Sequence, residues 1–373
     1  MGVDIPFRPP SRMRSPRPTH LDPACPSDAR PAPPRRNPMR IRACHMGLVA
    51  LMIAAPVAAQ SPQAPSTFID DMELEGTFSI IGRDAETGEL GIAVHSKTVA
   101  VGSRVRGGKG GVAVFAHQAA SNPMYSMLGI ELLEAGMDPE EALQFLLRAD
   151  EGANRRQVAI LDIHGRTAAW TPETISDWKG HECGVDFCAQ GNTLAGPEVV
   201  DAMARSFTSS QGTAPLAERL LDALQAGQDA GGDRRGVQSA ALLILKPLSL
   251  QGFGDRALDL RVDEHTDPFG ELRRVLRAFR GRDQISRARS HLQQGELDEA
   301  REWALAAHDS HPGDDGPWVI LAEIHLREGN RSEALDALAT AVELNPANRT
   351  QLPRNAAFAE LHEDPDFQAL VRN

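Results

Sequence analysis

The chain has 373 residues, 41% of them apolar, and a formal net charge of −12. That length allows two or three domains, and the apolar content is enough to pack their cores. The acidic balance excludes nucleic acid and anionic lipid surfaces as expected partners.

Residues 1–38 are dense in Pro and Arg and show no apolar periodicity. They read as a disordered leader, or as a start placed too early with Met39 or Met46 as the working one. Residues 39–59 read as a secretory signal. Met39-Arg40-Ile41-Arg42 is the basic start, Gly47–Ala59 the short apolar middle, and Val57-Ala58-Ala59 the small-residue cleavage site. The apolar stretch is shorter than the roughly 20 residues that span a bilayer. Position 60 is Gln rather than Cys, which speaks against a lipid anchor. A periplasmic or secreted chain is expected, with no membrane contact once the signal is gone. Residues 60–76 are then a polar spacer or propeptide.

From Thr77 the pattern is strand-rich. Phe78–Asp84 predicts a strand, Glu86-Thr87-Gly88-Glu89 a hairpin turn, and Gly91–Lys97 a second strand. Gly111–Gln118 predicts a third. Helices are expected over 123–136 and 139–149, the second with Asp138 as cap, Pro139 just inside and Glu141 three residues on. A hairpin around His164-Gly165, a short strand over 186–190, helices over 197–209 and 216–226, and strands over 239–246 and 257–262 follow. Strand runs alternating with helix pairs predict sheets covered by helices rather than single-helix crossovers.

The C-terminal part carries a repeat. Ala288, Gly295, Ala300, Ala307 and Pro312 recur 34 residues later as Ala322, Gly329, Ala334, Ala341 and Pro346. This is the tetratricopeptide period, with small residues where two helices cross. An all-α array over 281–373 is expected. Residues 268–282 would connect it to the main domain, residues 351–371 would cap it, and a peptide or protein would be its partner.

Several runs resemble the family called domain of unknown function 1028. They include Thr77-Phe78-Ser79-Ile80, Gly88-Glu89-Leu90-Gly91-Ile92-Ala93-Val94, Gln118-Ala119 with Asn122-Pro123, and Gln190-Gly191-Asn192 with Ala195-Gly196-Pro197. Gly231-Gly232-Asp233-Arg234 with Gly236, and Asp255-Arg256 with Asp259-Leu260-Arg261-Val262-Asp263, complete the match over residues 77–280. The resemblance implies an N-terminal-nucleophile (Ntn) hydrolase-like α+β fold, a four-layer αββα sandwich. Family members that begin Met-Thr-Phe-Ser would expose the threonine by losing Met. Here a cut at Gly76-Thr77 is needed, the kind of junction that proteasome-type β subunits break in their own chain.

A threonine freed at Thr77 carries a hydroxyl nucleophile and an amine base on one residue, which is amide-hydrolysing chemistry. Otherwise Thr77 is an ordinary strand residue in a non-enzymatic periplasmic binding or assembly module. Likeness to proteasome-like enzymes implies a lysine that lowers the threonine pKa, with Lys109 and Lys97 as candidates. The acidic partner of such enzymes is missing, since Ala93 and Val94 occupy that stretch. Gln118, Asn192 and Asp233 complete the expected catalytic set. His95, Ser96, Asn122, Gln190 and Asp255 form the expected substrate-binding set. The substrate class is an amide, from a small molecule or a peptide, and a homo-oligomer is open. His181, Cys183 and Cys188 read first as a disulfide Cys183–Cys188 closing a short hairpin, with packed thiols or a metal cluster as alternatives. No phosphate-binding glycine loop, zinc helix motif or serine elbow appears, so neither metal nor cofactor is expected.

Overall fold

The computed structural model describes residues 76–175, 178–247 and 254–372. These fall within one compact unit, Pro65–Asn373. The expected leader, signal and nearly all of the spacer lie outside the described residues. Among the described residues no helix is long and apolar enough to cross a membrane.

The main domain is α+β with two antiparallel sheets. The first contains β1 (Thr77–Arg83), β2 (Leu90–Ser96), β7 (Trp178–Gly184), β8 (Phe187–Leu194), β9 (Ser239–Leu245) and β10 (Arg256–Val262), in the order β10-β9-β2-β1-β8-β7. The second contains β3 (Arg106–Lys109), β4 (Ala113–Ala119), β5 (Arg156–Asp162) and β6 (Thr167–Trp170), in chain order. Helices α1 (Met124–Glu134) and α2 (Pro139–Ala149) follow β4, and α3 (Glu198–Ser209) and α4 (Leu216–Asp229) follow β8.

Strand alternation sorts the side chains into three layers of core. Ile81, Leu90, Ile92, Leu243 and Leu245 of the first sheet pack with Val114, Ala116, Ala159 and Leu161 of the second. Phe78, Ile80, Ala93 and Leu242 point the other way, onto Val200, Met203, Phe207, Leu220 and Leu224 of α3 and α4. Phe115, Val158 and Ile160 face Tyr125, Leu143 and Leu146 of α1 and α2. The β1 and β2 strands are buried on both faces, so they read as near-continuous apolar runs.

The expected capping box at α2 is present: Asp138 accepts from Glu141 N, and the Glu141 side chain accepts from Asp138 N. Two edge strands, β3 and β7, were not expected. Arg106-Gly-Gly-Lys109 and Trp178-Lys-Gly-His-Glu-Cys-Gly184 have too little apolar alternation to announce a strand, and their pairing to β4 and β8 makes them strands. Cys183 and Cys188 are directly opposite in the β7–β8 ladder and joined by a disulfide. His181 Nδ1 is instead 2.9 Å from Thr171 Oγ1.

The C-terminal region is helical, and its boundary differs from the expected break at 280/281. A single helix, α5 (Pro268–Gln294), crosses it. Its first turns place Phe269, Leu272 and Leu276 in the core of the first sheet and its helices. Its last turns place Ile285, Ala288 and Leu292 against α6 (Leu297–Ser310) and α7 (Gly316–Arg327). Each of the Phe, Leu and Ile side chains contributes about 1.5–3 kcal/mol by burial, so both ends of α5 are anchored. Ala322 of α7 and Ala337, Leu338 and Val342 of α8 (Arg331–Leu344) pack with Phe358, Leu361 and Phe367, the last from a closing helix, α10 (Pro365–Arg372), beyond the short α9 (Asn348–Gln351). The recurring small residues Ala288, Ala300, Ala307, Ala322, Ala334 and Ala341 are fully buried. The recurring Gly295 and Gly329 end α5 and α7 at φ 82° and 81°, where the left-handed turn favours glycine.

Candidate active site

Thr77 opens β1, a central strand, with Ser96 of β2 and Asn192 of β8 as its two ladder partners. Thr77, Ser79 and Ile81 alternate toward the second sheet, as do Ser96 on β2 and Gln190 and Asn192 on β8. The core between the sheets is therefore apolar at the Ile81 end of β1 and polar at the Thr77 end.

The polar end is a connected network. Gln118 of β4 donates through Nε2 to the Thr77 carbonyl (2.9 Å) and to Gln157 Oε1 (2.8 Å), and accepts from Ser79 Oγ (2.7 Å). Gln157 of β5 donates to the Gly191 carbonyl (2.8 Å) and accepts from Asn192 Nδ2 (2.9 Å). Gln190 donates to the Ala116 carbonyl (3.1 Å). All these side chains are fully buried. Asn192 Oδ1 and Gln190 Oε1 have no partner among the described residues. A buried acceptor left unmade costs about 1–3 kcal/mol, so this end of the core is not arranged for stability alone.

The Gly76 carbonyl, one atom from the Thr77 nitrogen, is held by two donors. Ser96 Oγ donates to it at 2.5 Å and Arg235 Nη2 at 2.7 Å. Ser96 Oγ also accepts from Thr77 Oγ1 at 3.1 Å, so one hydroxyl links the threonine oxygen to the preceding carbonyl. Arg235 is fixed by Asp233, which accepts from Nη2 (2.8 Å), Nε (3.1 Å) and the Arg235 backbone N–H (2.9 Å). The Asp233 carboxylate in turn accepts from the Lys97 backbone N–H at 3.3 Å.

The structure thus gathers Thr77, Ser96, Gln118, Asn192, Gln190 and Asp233 at one end of the sheets. It does not bring the others there. Lys109 sits at the opposite end of the second sheet and pairs with Glu134 of α1. Asp255 is at that same far end, accepting from Gly110 N (2.8 Å). A seven-residue strand separates the two ends by about 20 Å. Lys97 is near in sequence to Ser96, but its ammonium turns out to the Val237 carbonyl. Asn122 makes a turn just before α1, accepting from Met124 N and donating to Asp150. His95 points to the other face of β2, its ring between Phe78 (4.9 Å) and Phe269 of α5 (4.8 Å). Burial holds its pKa down at about 3, against the pull of the Asp233 carboxylate, so it is neutral at ordinary pH. Its two ring nitrogens have no hydrogen-bond partner among the described residues.

The cation at the site is Arg235, 159 residues along the chain from the carbonyl it holds. Its signal in the sequence is the turn-rich run Gly231-Gly232-Asp233-Arg234-Arg235-Gly236, where the aspartate is the more conspicuous residue. Gln157 is also absent from the expected set, since at the head of a strand it looks like any exposed polar residue. Among the described residues there is no cluster of His, Cys, Asp or Glu able to hold a metal.

The chain belongs to a family of unknown function, DUF1028, whose model matches residues 77–272. A crystal structure of protein SPO2555 from Silicibacter pomeroyi, described under the same family, is 32% identical. It covers 54% of this chain and 84% of its own, with a TM-score of 0.49. No curated protein matches.

Proposed function

We propose that the chain is an exported hydrolase of the Ntn type, an αββα sandwich carrying a short tetratricopeptide array. It cuts its own Gly76–Thr77 bond and then hydrolyses amide bonds through an acyl-Thr77 intermediate. The observation that carries this reading is the pair of donors on the Gly76 carbonyl. A hydroxyl and a guanidinium on one carbonyl oxygen polarise it and stabilise the charge that develops when the adjacent Thr77 hydroxyl attacks. Burial strengthens the bond from Ser96. Once the peptide bond is gone, the Thr77 α-amine, with a reference pKa of about 8, serves as the base.

In a binding module of the same architecture, a cavity of about 650 Å³ bordered by Arg282, Ser286, Arg289, Asp314 and Asp315 on the helical region would hold a peptide. That reading leaves the two donors on Gly76 without a task.

Thr77→Ser and Thr77→Ala separate the two. The serine variant should still cut the 76–77 bond and label with a β-lactone. The alanine variant should fold, stay whole and take no label. Cutting at 76–77 in the alanine variant would exclude the mechanism. Cell fractionation should find the chain outside the cytoplasm.

A further inference from the structure

The Gly76 pocket has a shape as well as a charge. A Cβ on Gly76 would lie 2.7 Å from Thr193 Cβ and 3.0 Å from both Arg235 Nη2 and Asp233 Oδ2. The nearest obstacle is bonded directly to backbone, so it cannot swing away as a long side chain would. That backbone is itself unusual. Thr193 has φ 58°, a left-handed conformation that is an outlier for a β-branched residue. It is held there by neighbours on both sides. Its carbonyl accepts from Arg234 N (3.1 Å), and Leu194 pairs with Asp233 in an isolated bridge. Strained residues fixed in this way concentrate at functional sites.

The role of the pocket rests on the self-cleavage proposed for Gly76–Thr77, and that reaction makes a defined species. Thr77 Oγ bonds to the Gly76 carbonyl carbon, the Gly76–Thr77 C–N bond breaks, and the hydroxyl proton passes to the α-nitrogen. The product is a glycyl ester on Thr77. Water then cleaves that ester, releasing Gly76 as a carboxylic acid and restoring the hydroxyl. A substrate amide would form the same kind of ester on the same oxygen. Its carbonyl would take the Ser96 and Arg235 donors, and its α-carbon would fall where the Gly76 α-carbon lies.

We propose that this pocket is the acyl-specificity site, and that the enzyme takes aminoacyl amides whose α-carbon carries no side chain, that is, glycyl amides. Thr193 forms the wall that excludes a side chain. The Arg235–Asp233 pair closes the remaining side and orients the carbonyl.

The test uses the full chain. Wild type, Gly76→Ala and the double variant Gly76→Ala/Thr193→Gly are compared for cutting at 76–77 by intact mass, with thermal melts as the folding control. Gly76→Ala should cut at least about tenfold more slowly, since one methyl group in a tight pocket discriminates by about 10–200-fold. Thr193→Gly removes the obstructing Cβ and suits φ 58°, so the double variant should recover most of the rate. Matured wild type should hydrolyse acetylglycine 4-nitroanilide at least about tenfold better than acetylalanine 4-nitroanilide, and Thr193→Gly should narrow that ratio. If wild type cuts and Gly76→Ala cuts equally fast, or if the matured chain takes both anilides equally or neither, the substrate class is wrong while self-cleavage stands. If wild type never cuts, the hydrolase reading itself fails and takes the substrate class with it.

Discussion

Along β1 the core between the two sheets has two ends, made of neighbouring stretches of the same two sheets. At the Ile81 end it is filled by Ile92, Leu90, Leu161 and Leu243, with carbon against carbon. At the Thr77 end it is filled by Gln118, Gln157, Gln190, Asn192 and the hydroxyls of Thr77, Ser79 and Ser96, equally buried. The first end contributes stability by excluding water. The second spends some of that stability to hold a hydroxyl, a carbonyl and a guanidinium in fixed relation. The difference teaches that burial alone does not mark a structural core, since what fills the volume decides whether it stabilises or positions.

Substitutions at the two ends should therefore have opposite signatures. Thr77→Ala should abolish cutting at 76–77 while costing only about 1 kcal/mol of stability, the worth of one hydrogen bond. Leu161→Ala should cost about 2–5 kcal/mol in denaturant melts, and the folded fraction should cut at the wild-type rate. Arg235→Met should slow cutting by about 10²–10³-fold, the usual loss for one donor on a developing oxyanion. Its melting temperature should fall too, because the change leaves the fully buried Asp233 carboxylate without its guanidinium partner. Gln118→Leu should affect both readouts. It removes the acceptor of Ser79 Oγ and one donor each from Gln157 Oε1 and the Thr77 carbonyl, so a loss of about 1–3 kcal/mol is expected together with slower cutting.

Acid tests the burial of one histidine on each sheet. Burial lowers the pKa of His95 to about 3 and that of His117 to about 4. Both are neutral when folded, and both gain a proton below about pH 6.5 when unfolded. The unfolded chain then binds more protons, so stability falls as pH drops from 6.5 toward 4. The slope is about 1.4 kcal/mol per pH unit for each histidine once pH is well below 6.5. His95→Phe fills the same slot between Phe78 and Phe269 and should remove about half of that slope between about pH 5 and 6. An unchanged slope would show that His95 is not buried neutral. The smallest effect is expected for Lys109→Ala. It breaks an exposed pair with Glu134 worth at most about 1 kcal/mol, and cutting should be unaffected. A tenfold loss there would restore the proteasome-like lysine in place of Arg235.

Much of this was legible in the sequence, for identifiable reasons. The β1 and β2 strands are continuous apolar runs, α2 has its cap written out in Asp138, Pro139 and Glu141, and the helical region repeats its small residues at fixed spacing. The Thr77, Ser96, Gln118 and Asn192 grouping followed from their places at strand ends and turns. What failed were inferences that required distance. Lys109 and Asp255 share residue type with site groups but lie at the far end of the sheets. His95 is one residue from Ser96, and that single step turns it to the opposite face. The α5 helix hides a domain boundary because helical periodicity continues smoothly while its burial partners change from Phe78 and His95 to α6 and α7. Arg235 reaches Gly76 only once β9 has folded beside β2, which no local pattern announces.

The measurement closest to the central claim is the N-terminal residue of the mature chain, read by intact mass and Edman sequencing on protein from its native source. The account predicts a chain that begins at Thr77 with a free amine. An active chain that begins at Gln60, or at any residue that leaves Gly76 bonded to Thr77, would contradict it.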